Sequence, residues 1–158
     1  MPRRQVPKIM IANAPSMSSQ PMRRWRHWPS PDGTPSGRGV ADRVEFVQGD
    51  LLATMGAFDL IVANLPYVRE GEWQALAPEL REWEPRDALV GGERGTEVIE
   101  RLLEQAAAHL RPGGVLALEI GDTQGVRLAA FARSSFPEAD IHVRTDLAGL
   151  DRMLVVRT

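Results

Sequence analysis

The sequence predicts an α/β fold over residues 40–158, a mostly parallel sheet with helices packed against it. Three observations carry this expectation. Short apolar runs recur from Val44 onwards, separated by segments of helical period. Several of these runs end abruptly on polar residues, at Gly49-Asp50, at Asn64 and at Glu119. Helix punctuation falls between them, with Thr96 placed to cap a helix and Pro112-Gly113-Gly114 placed to stop it.

Taken in order, the first 39 residues share none of this texture. They are rich in Pro, Ser, Arg and Gly, show no sustained period and carry an Arg24-Trp25-Arg26-His27-Trp28 cluster. Basic residues interleaved with aromatics suit stacking and phosphate pairing with nucleic acid. The composition fits a disordered or non-native extension better, and it predicts no function. Only Ile9-Met10-Ile11, held between Pro7 and Pro15, offers a strand that adds to a neighbouring sheet. Beyond residue 40, Val44–Val47 reads as a strand ending at Gly49-Asp50, and Phe58–Ala63 as a buried strand ending at Asn64. Thr96 opens a helix whose apolar positions Ile99, Leu102, Leu103, Ala106 and Leu110 fall at helical spacing. Val115–Ile120 is the next strand, Gln124–Ser134 the next helix, Ile141–Arg144 a strand, and Met153–Arg157 a closing strand after a turn near Gly149. No internal repeat is visible.

Composition excludes several function classes. With 158 residues, 43% hydrophobic and 25% charged, the chain suits one globular domain with a modest core. It has no cysteine, which removes disulfides, thiolate zinc sites and thiol redox chemistry and suits the cytoplasm. A net charge of -2 speaks against nucleic-acid binding through overall positive potential. No apolar run approaches the roughly 20 residues that span a bilayer, and Met1–Gln5 lacks the apolar core of a signal peptide. The chain reads as cytosolic.

In open α/β sheets ligands bind beyond the carboxyl ends of the strands, so Asp50, Asn64–Tyr67 and Glu119 are the positions to weigh first. Asn64-Leu65-Pro66-Tyr67 puts an amide, a rigid proline and an aromatic ring at one strand end. Such a group suits a planar amide or amino nitrogen that must attack a methyl sulfonium. The Asn64 side-chain oxygen and the Leu65 carbonyl accept hydrogen bonds from the substrate NH2, Pro66 fixes the turn, and Tyr67 stacks on the flat group. Orientation and exclusion of water then do most of the catalysis, with no metal and no nucleophilic side chain. A plain turn after a strand is the competing reading of the same four residues.

The surrounding sequence resembles the HemK family of protein-(glutamine N5) methyltransferases along nearly all of residues 40–158. Asn64-Leu65-Pro66-Tyr67 matches the family's Asn-Pro-Pro-Tyr box with Leu at the second position. Trp83-Glu84-Pro85-Arg86-Asp87-Ala88-Leu89 with Gly91-Gly92, then Leu116-Ala117-Leu118-Glu119-Ile120-Gly121, then Asp146-Leu147-Ala148-Gly149-Leu150-Asp151-Arg152 resemble its later motifs in order. The resemblance implies a Rossmann-like class I S-adenosylmethionine-dependent methyltransferase, with S-adenosyl-L-methionine as cofactor and the Gly-Gly-Gln loop of peptide chain release factors as partner. By it, Asn64, Pro66 and Tyr67 are catalytic, Asn64, Leu65, Pro66 and Tyr67 bind the substrate glutamine, and Asp50, Leu51 and Asn64 touch the cofactor. Asp50 also reads as a helix cap. Glu119 reads as a structural cap sooner than a catalytic group, His109 as a dipole partner at a helix end, and His142 as structural. A ribosomal-protein glutamine methyltransferase, an adenine-N6 methyltransferase and a non-catalytic fragment are the alternatives.

The family's glycine-rich loop and ribose-binding acid are not recognisable before Val40, which makes the catalytic domain read as incomplete. Gly33, Gly37 and Gly39 follow no credible strand and open no helix, so they do not supply that loop. Residues 6–38, back-translated with GC-rich codons and read in another frame, give a strand ending in Asp followed by an amphipathic helix, which suits a frameshift. Loss of two strands predicts a sheet split between Val44–Val47 and Phe58–Ala63, an uncovered apolar face and weak or absent cofactor binding.

Overall fold

The computed structural model describes residues 9–13, 47, 49–53 and 55–158. Their central element is a five-stranded sheet of order β1-β2-β5-β7-β6. The strands are β1 (Ile9–Asn13), β2 (Phe58–Asn64), β5 (Leu110–Glu119), β6 (Asp140–Thr145) and β7 (Asp151–Arg157). β1, β2 and β5 run parallel, while β7 is antiparallel to both β5 and β6. A second, two-stranded sheet pairs β3 (Val68–Arg69) with β4 (Val90–Gly92), and between them lie a 3-10 turn (Glu70–Ala75), α1 (Pro78–Trp83) and α2 (Arg86–Leu89). Two longer helices follow, α3 (Glu97–His109) and α4 (Gly125–Ser135).

The mixed α/β architecture expected from the alternating pattern is therefore present. Ile61 and Ala63 of β2, Leu116 and Leu118 of β5, and Leu154 and Val156 of β7 alternate inward on one face. There they meet Ile99, Leu102, Leu103 and Ala106 of α3 and Leu128 and Ala132 of α4, all fully buried. Each leucine or isoleucine so enclosed contributes about 1.5–3 kcal/mol. The other face carries Leu60, Val115, Ala117 and Val155 half-buried, with Val62 37% and Met153 39% exposed. Among the described residues that face is thus less enclosed than the one against α3 and α4.

One strand reading is extended and two fall largely outside the described residues. β1 extends the expected Ile9–Ile11 run to Asn13 and lies in parallel register with β2, Ile9 beside Leu60 and Asn13 beside Asn64. Phe58–Asn64 thus has a parallel neighbour on each side. The Val44–Val47 strand, and with it the expected split, falls outside the described residues except for Val47, which is exposed and in no regular element. The glycine and aromatic-rich cluster readings of residues 14–39 fall outside them too.

Pro112-Gly113-Gly114 does not separate helix from strand; α3 stops at His109 and β5 begins at once at Leu110. Phe58 pairs with Leu110 and Leu60 with Val115, so the intervening residues of β5 bulge out of the ladder. Thr158 fastens this bulge, its carbonyl accepting from the Gly113 amide at 3.0 Å and its hydroxyl donating to the Arg111 carbonyl at 2.8 Å. Thr96 occupies the cap position of α3, yet its hydroxyl donates to Glu100 at 2.9 Å instead of accepting from the helix. The Glu97 carboxylate accepts from the amides of Arg94 (2.9 Å) and Thr96 (3.0 Å), which precede the helix. Among the described residues no helix is long and apolar enough to cross a membrane.

Candidate active site at the carboxyl end of β2

Because β2 is flanked on both sides, its last residue opens onto the carboxyl edge of the parallel strands. Asn64 is exposed there, Leu65 is 2% exposed and Pro66 buried, and Tyr67 is half-buried. Strand alternation explains the first pair: Ala63 points into the core, so Asn64 points away from it. The chain then turns inward, and Leu65 anchors the turn in the core. An amide free for ligand contact is thereby fixed on a buried hydrophobic foot.

The tyrosine ring is held from the next strand. Tyr67 donates its hydroxyl hydrogen to Oε1 of Glu119, at the end of β5, at 3.1 Å. Glu119 therefore holds the box tyrosine and, among the described residues, caps no helix. Arg152 reaches the same tyrosine and is itself bound by the Asp146 carboxylate at 3.2 Å. Asp146 also accepts from the amides of Ala148 (2.9 Å) and Leu150 (3.1 Å), closing the turn that ends at Gly149 with φ +82°. The Leu150 amide above all, and Arg152, hold the Asp146 carboxyl below the usual aspartate range.

Burial, then the negative charge of Glu119 and the hydrogen bond to it, push the Tyr67 phenol above its ordinary value of 10.0, against a smaller opposing pull from Arg152. A phenol raised in the folded state stabilises the fold fully below pH 10 and loses that contribution as pH climbs through the raised value. Tyr67 is the only tyrosine in the chain, so its ionisation is read directly from tyrosinate absorbance. We expect a midpoint above 10 in the folded protein and a lower one in Glu119→Gln, which keeps an acceptor oxygen and removes the charge. An unchanged midpoint in the variant would exclude Glu119 as the cause.

The backbone of the box is pinned by Gln124. This side chain is 5% exposed; its Nε2 donates to the Tyr67 carbonyl (2.8 Å) and the Gly95 carbonyl (3.3 Å), and its Oε1 accepts from the Gly121 amide (2.9 Å). One amide thus ties the box, the glycine loop and the end of β5 together. The glycines are needed for the approach. A Cβ on Gly91 would lie 2.3 Å from the Pro66 carbonyl oxygen, and one on Gly95, whose φ is +75°, 2.4 Å from that of Tyr67.

Two cavities meet at Pro66. One, of about 190 Å³, is lined by Asp50, Leu51, Pro66, Asp87, Val90, Val98 and Arg101. Asp50 and Leu51 reach it from a turn in which Leu51 adopts φ +54°, closed by the Ala53 amide on the Asp50 carbonyl at 3.1 Å. The turn is fastened to α3 by Asp50–Arg101 (2.5 Å) and by the Leu52 amide on Gln105 (2.7 Å). The other cavity, of about 260 Å³, is lined by Leu65, Pro66, Tyr67 and Val68 with Leu76, Leu80, Ala88 and Leu89. Of the sequence-predicted residues, Asp50, Leu51 and Pro66 line one space and Leu65, Pro66 and Tyr67 the other, while Asn64 lines neither.

His109 and His142 line neither space. His109 Nδ1 stands 3.2 Å from the Gly56 carbonyl, and His142 pairs at the surface with Asp140 at 2.8 Å. Gln124, Arg152 and Arg101 were not singled out from the sequence. Arg152 sits in the closing motif, whose spacing is the one signal that pointed to it; Gln124 reads only as a helix start.

No family model matches the chain. Curated relatives do. The chain is 42% identical over 123 residues to the release factor glutamine methyltransferase of Nitratidesulfovibrio vulgaris, a match covering 75% of this chain and 42% of that protein. It is 36% identical over 123 residues to the enzyme of the same name from Bacillus cereus, covering 75% and 44%. Among solved structures, a release factor-specific protein-(glutamine-N5) methyltransferase from Alicyclobacillus acidocaldarius aligns with a TM-score of 0.43 and 19% identity, over 64% of this chain and 48% of that one. The chain spans less than half the length of the curated relatives it matches. Over those 123 residues the chain is similar in sequence to release factor glutamine methyltransferases.

Proposed function

We propose that residues 40–158 are the C-terminal portion of a catalytic domain that transfers a methyl group to the side-chain amide nitrogen of a glutamine, the one in the Gly-Gly-Gln loop of peptide chain release factors. Ile9–Asn13 adds a strand to that domain's sheet beside β2, and the rest of residues 1–39 stands outside the domain in this reading. The observation that carries it is the box at the end of β2: an exposed Asn64 on a buried Leu65-Pro66 turn, with Tyr67 held by Glu119 and Gln124.

The methyl donor of this reading is S-adenosyl-L-methionine, which when bound supplies an electrophilic methyl on a sulfonium. The residues present fit one end of it. The 190 Å³ cavity has apolar walls in Leu51, Val90 and Val98 and a carboxylate, Asp50, that can accept from an exocyclic amino group. That suits a flat purine, and the volume is below the ~300–1,000 Å³ that encloses a whole small ligand. On the acceptor side, the Asn64 side-chain oxygen and the Leu65 carbonyl accept the two hydrogens of the substrate NH2 and fix the direction of its lone pair. Pro66 holds the turn rigid between the two cavities, and the Tyr67 ring stacks on the amide plane. No side chain of the chain needs to act as nucleophile. The setting of the reading is the cytoplasm, where release factors work.

The test is a chimera in which residues 40–158 replace the matching segment of the Nitratidesulfovibrio vulgaris relative. We expect it to methylate a Gly-Gly-Gln glutamine and the isolated chain to do so barely or not at all. Asn64→Ala in the chimera is expected to lower kcat by about 100-fold or more through lost positioning. A chimera that folds and methylates no glutamine, or labels an adenine instead, would overturn the reading.

A further inference from the structure

We infer that the 260 Å³ cavity beside the box is a subsite for one bulky apolar side chain of a basic peptide, close in sequence to the residue presented to Asn64; this rests on the peptide-glutamine reading above. Pro66 lines both cavities, and α2 gives Asp87 to one and Ala88 and Leu89 to the other. The two spaces therefore adjoin at Pro66 and α2. Their linings differ in chemistry. The smaller one carries two carboxylates and a guanidinium, whereas the larger is walled by aliphatic side chains, proline and the Tyr67 ring.

A volume of about 260 Å³ is short of the ~300–1,000 Å³ that accepts a whole small molecule, and a mostly apolar wall offers little to orient a free polar ligand. A side chain attached to a backbone that is already positioned needs no such group. Leu80, on the wall, is 42% exposed, so the space is open to a partner.

The rim says what kind of chain carries that side chain. Residues 70–93, which contribute Leu76, Leu80, Ala88 and Leu89 to the wall, hold seven carboxylates against two guanidinium groups, a net charge of −5 in a chain of net charge -2. Glu79, Glu82 and Glu84 are all exposed, and between the last two Trp83 is 80% exposed. Carboxylates attract Lys and Arg over the Debye length of about 8 Å, and an exposed indole face takes the same cations. The same charge repels a phosphate backbone. An apolar pocket within an acidic, indole-bearing surface fits a basic peptide with one large apolar residue.

The test is made on the peptide, so that the protein is the same in every arm. Fluorescein-labelled peptides carry a central Gly-Gly-Gln and lysines at both ends, and a leucine walks from three residues before the glutamine to three after it. Polarisation with the chain as it exists should show one position at which leucine binds about ten-fold or more tighter than serine, the worth of burying one such side chain. Exchanging the lysines for glutamates should abolish binding. A flat leucine walk, equal affinity for the glutamate-ended peptides, or no binding of any peptide would overturn the subsite. Exchanging the glutamine for leucine separates the two ideas: a retained leucine preference with no dependence on glutamine supports the subsite and counts against the glutamine reading.

Discussion

Gln124→Leu is expected to lower the unfolding free energy by about 3 kcal/mol and to loosen the box even where the fold survives. The side chain is 5% exposed and bonds three backbone groups that lie far apart in sequence: the carbonyls of Tyr67 and Gly95 and the amide of Gly121. Leucine fills nearly the same volume and bonds none of them. Each buried backbone group left without a partner costs about 1–3 kcal/mol, and relaxation toward water recovers part of that. For a chain of this size the loss corresponds to a fall in Tm of roughly 6–12 °C. Gln124→Glu should be worse, because it keeps the acceptor for Gly121 but aims a carboxylate at two carbonyl oxygens. Urea titration of both variants reads this; a midpoint within experimental error of the wild type for Gln124→Leu would remove Gln124 from its assigned place. In the chimera the same substitution should cost kcat more than KM, since it displaces the turn that orients the amide.

That residue also shows where the sequence stops being legible. The end of β2 was readable because its signals are local: an apolar run, then Asn64, a proline and an aromatic ring. α3 was readable because four of its core positions recur at helical spacing and are all fully buried. Gln124 gives no such signal. Its partners Tyr67 and Gly95 lie 57 and 29 residues away, and alone it looks like any polar residue before a helix.

Glu119 and Arg152 are similar: the order of motifs marked their segments, and only the pairing of β5 with β7 brings Glu119 alongside Met153, next to Arg152. The errors have physical causes as well. Pro112-Gly113-Gly114 carries the chemistry of a stop, but Thr158 supplies the bonds that let the strand continue around it. Thr96 stands at the cap position without capping, because its hydroxyl answers Glu100, while the Glu97 side chain folds back on the amides of Arg94 and Thr96 ahead of the helix. Ile9-Met10-Ile11 is legible as a strand that adds to a sheet, but its neighbour is not, because the parallel partner begins only at Phe58.

Among the described glycines, Gly91→Ala should have the largest effect of any single added methyl group on the box. The new Cβ would sit 2.3 Å from the Pro66 carbonyl oxygen, 2.7 Å from that of Gly95 and 2.9 Å from the Pro66 carbonyl carbon. All three are backbone atoms, so no rotamer relieves the contact; either the box or the glycine loop must move. Moving the loop breaks the pairing of β3 with β4 and the bond from Gln124 to Gly95. Moving the box carries Asn64 and Leu65 away from the geometry that fixes the acceptor amide. We expect a loss of about 4 kcal/mol or more in stability, at the extreme of single substitutions, and in the chimera a fall in kcat of about 100-fold or more, the cost of a misplacement near 1 Å. Gly71→Ala is the control: a Cβ there meets nothing within 4 Å, so it should leave stability unchanged or slightly raised through the less flexible unfolded chain. Parallel thermal and urea unfolding of the two variants separates steric contact from the general effect of replacing a glycine. Equal, small changes in both would mean that the Pro66 carbonyl and Gly91 do not approach each other as closely as the structure places them.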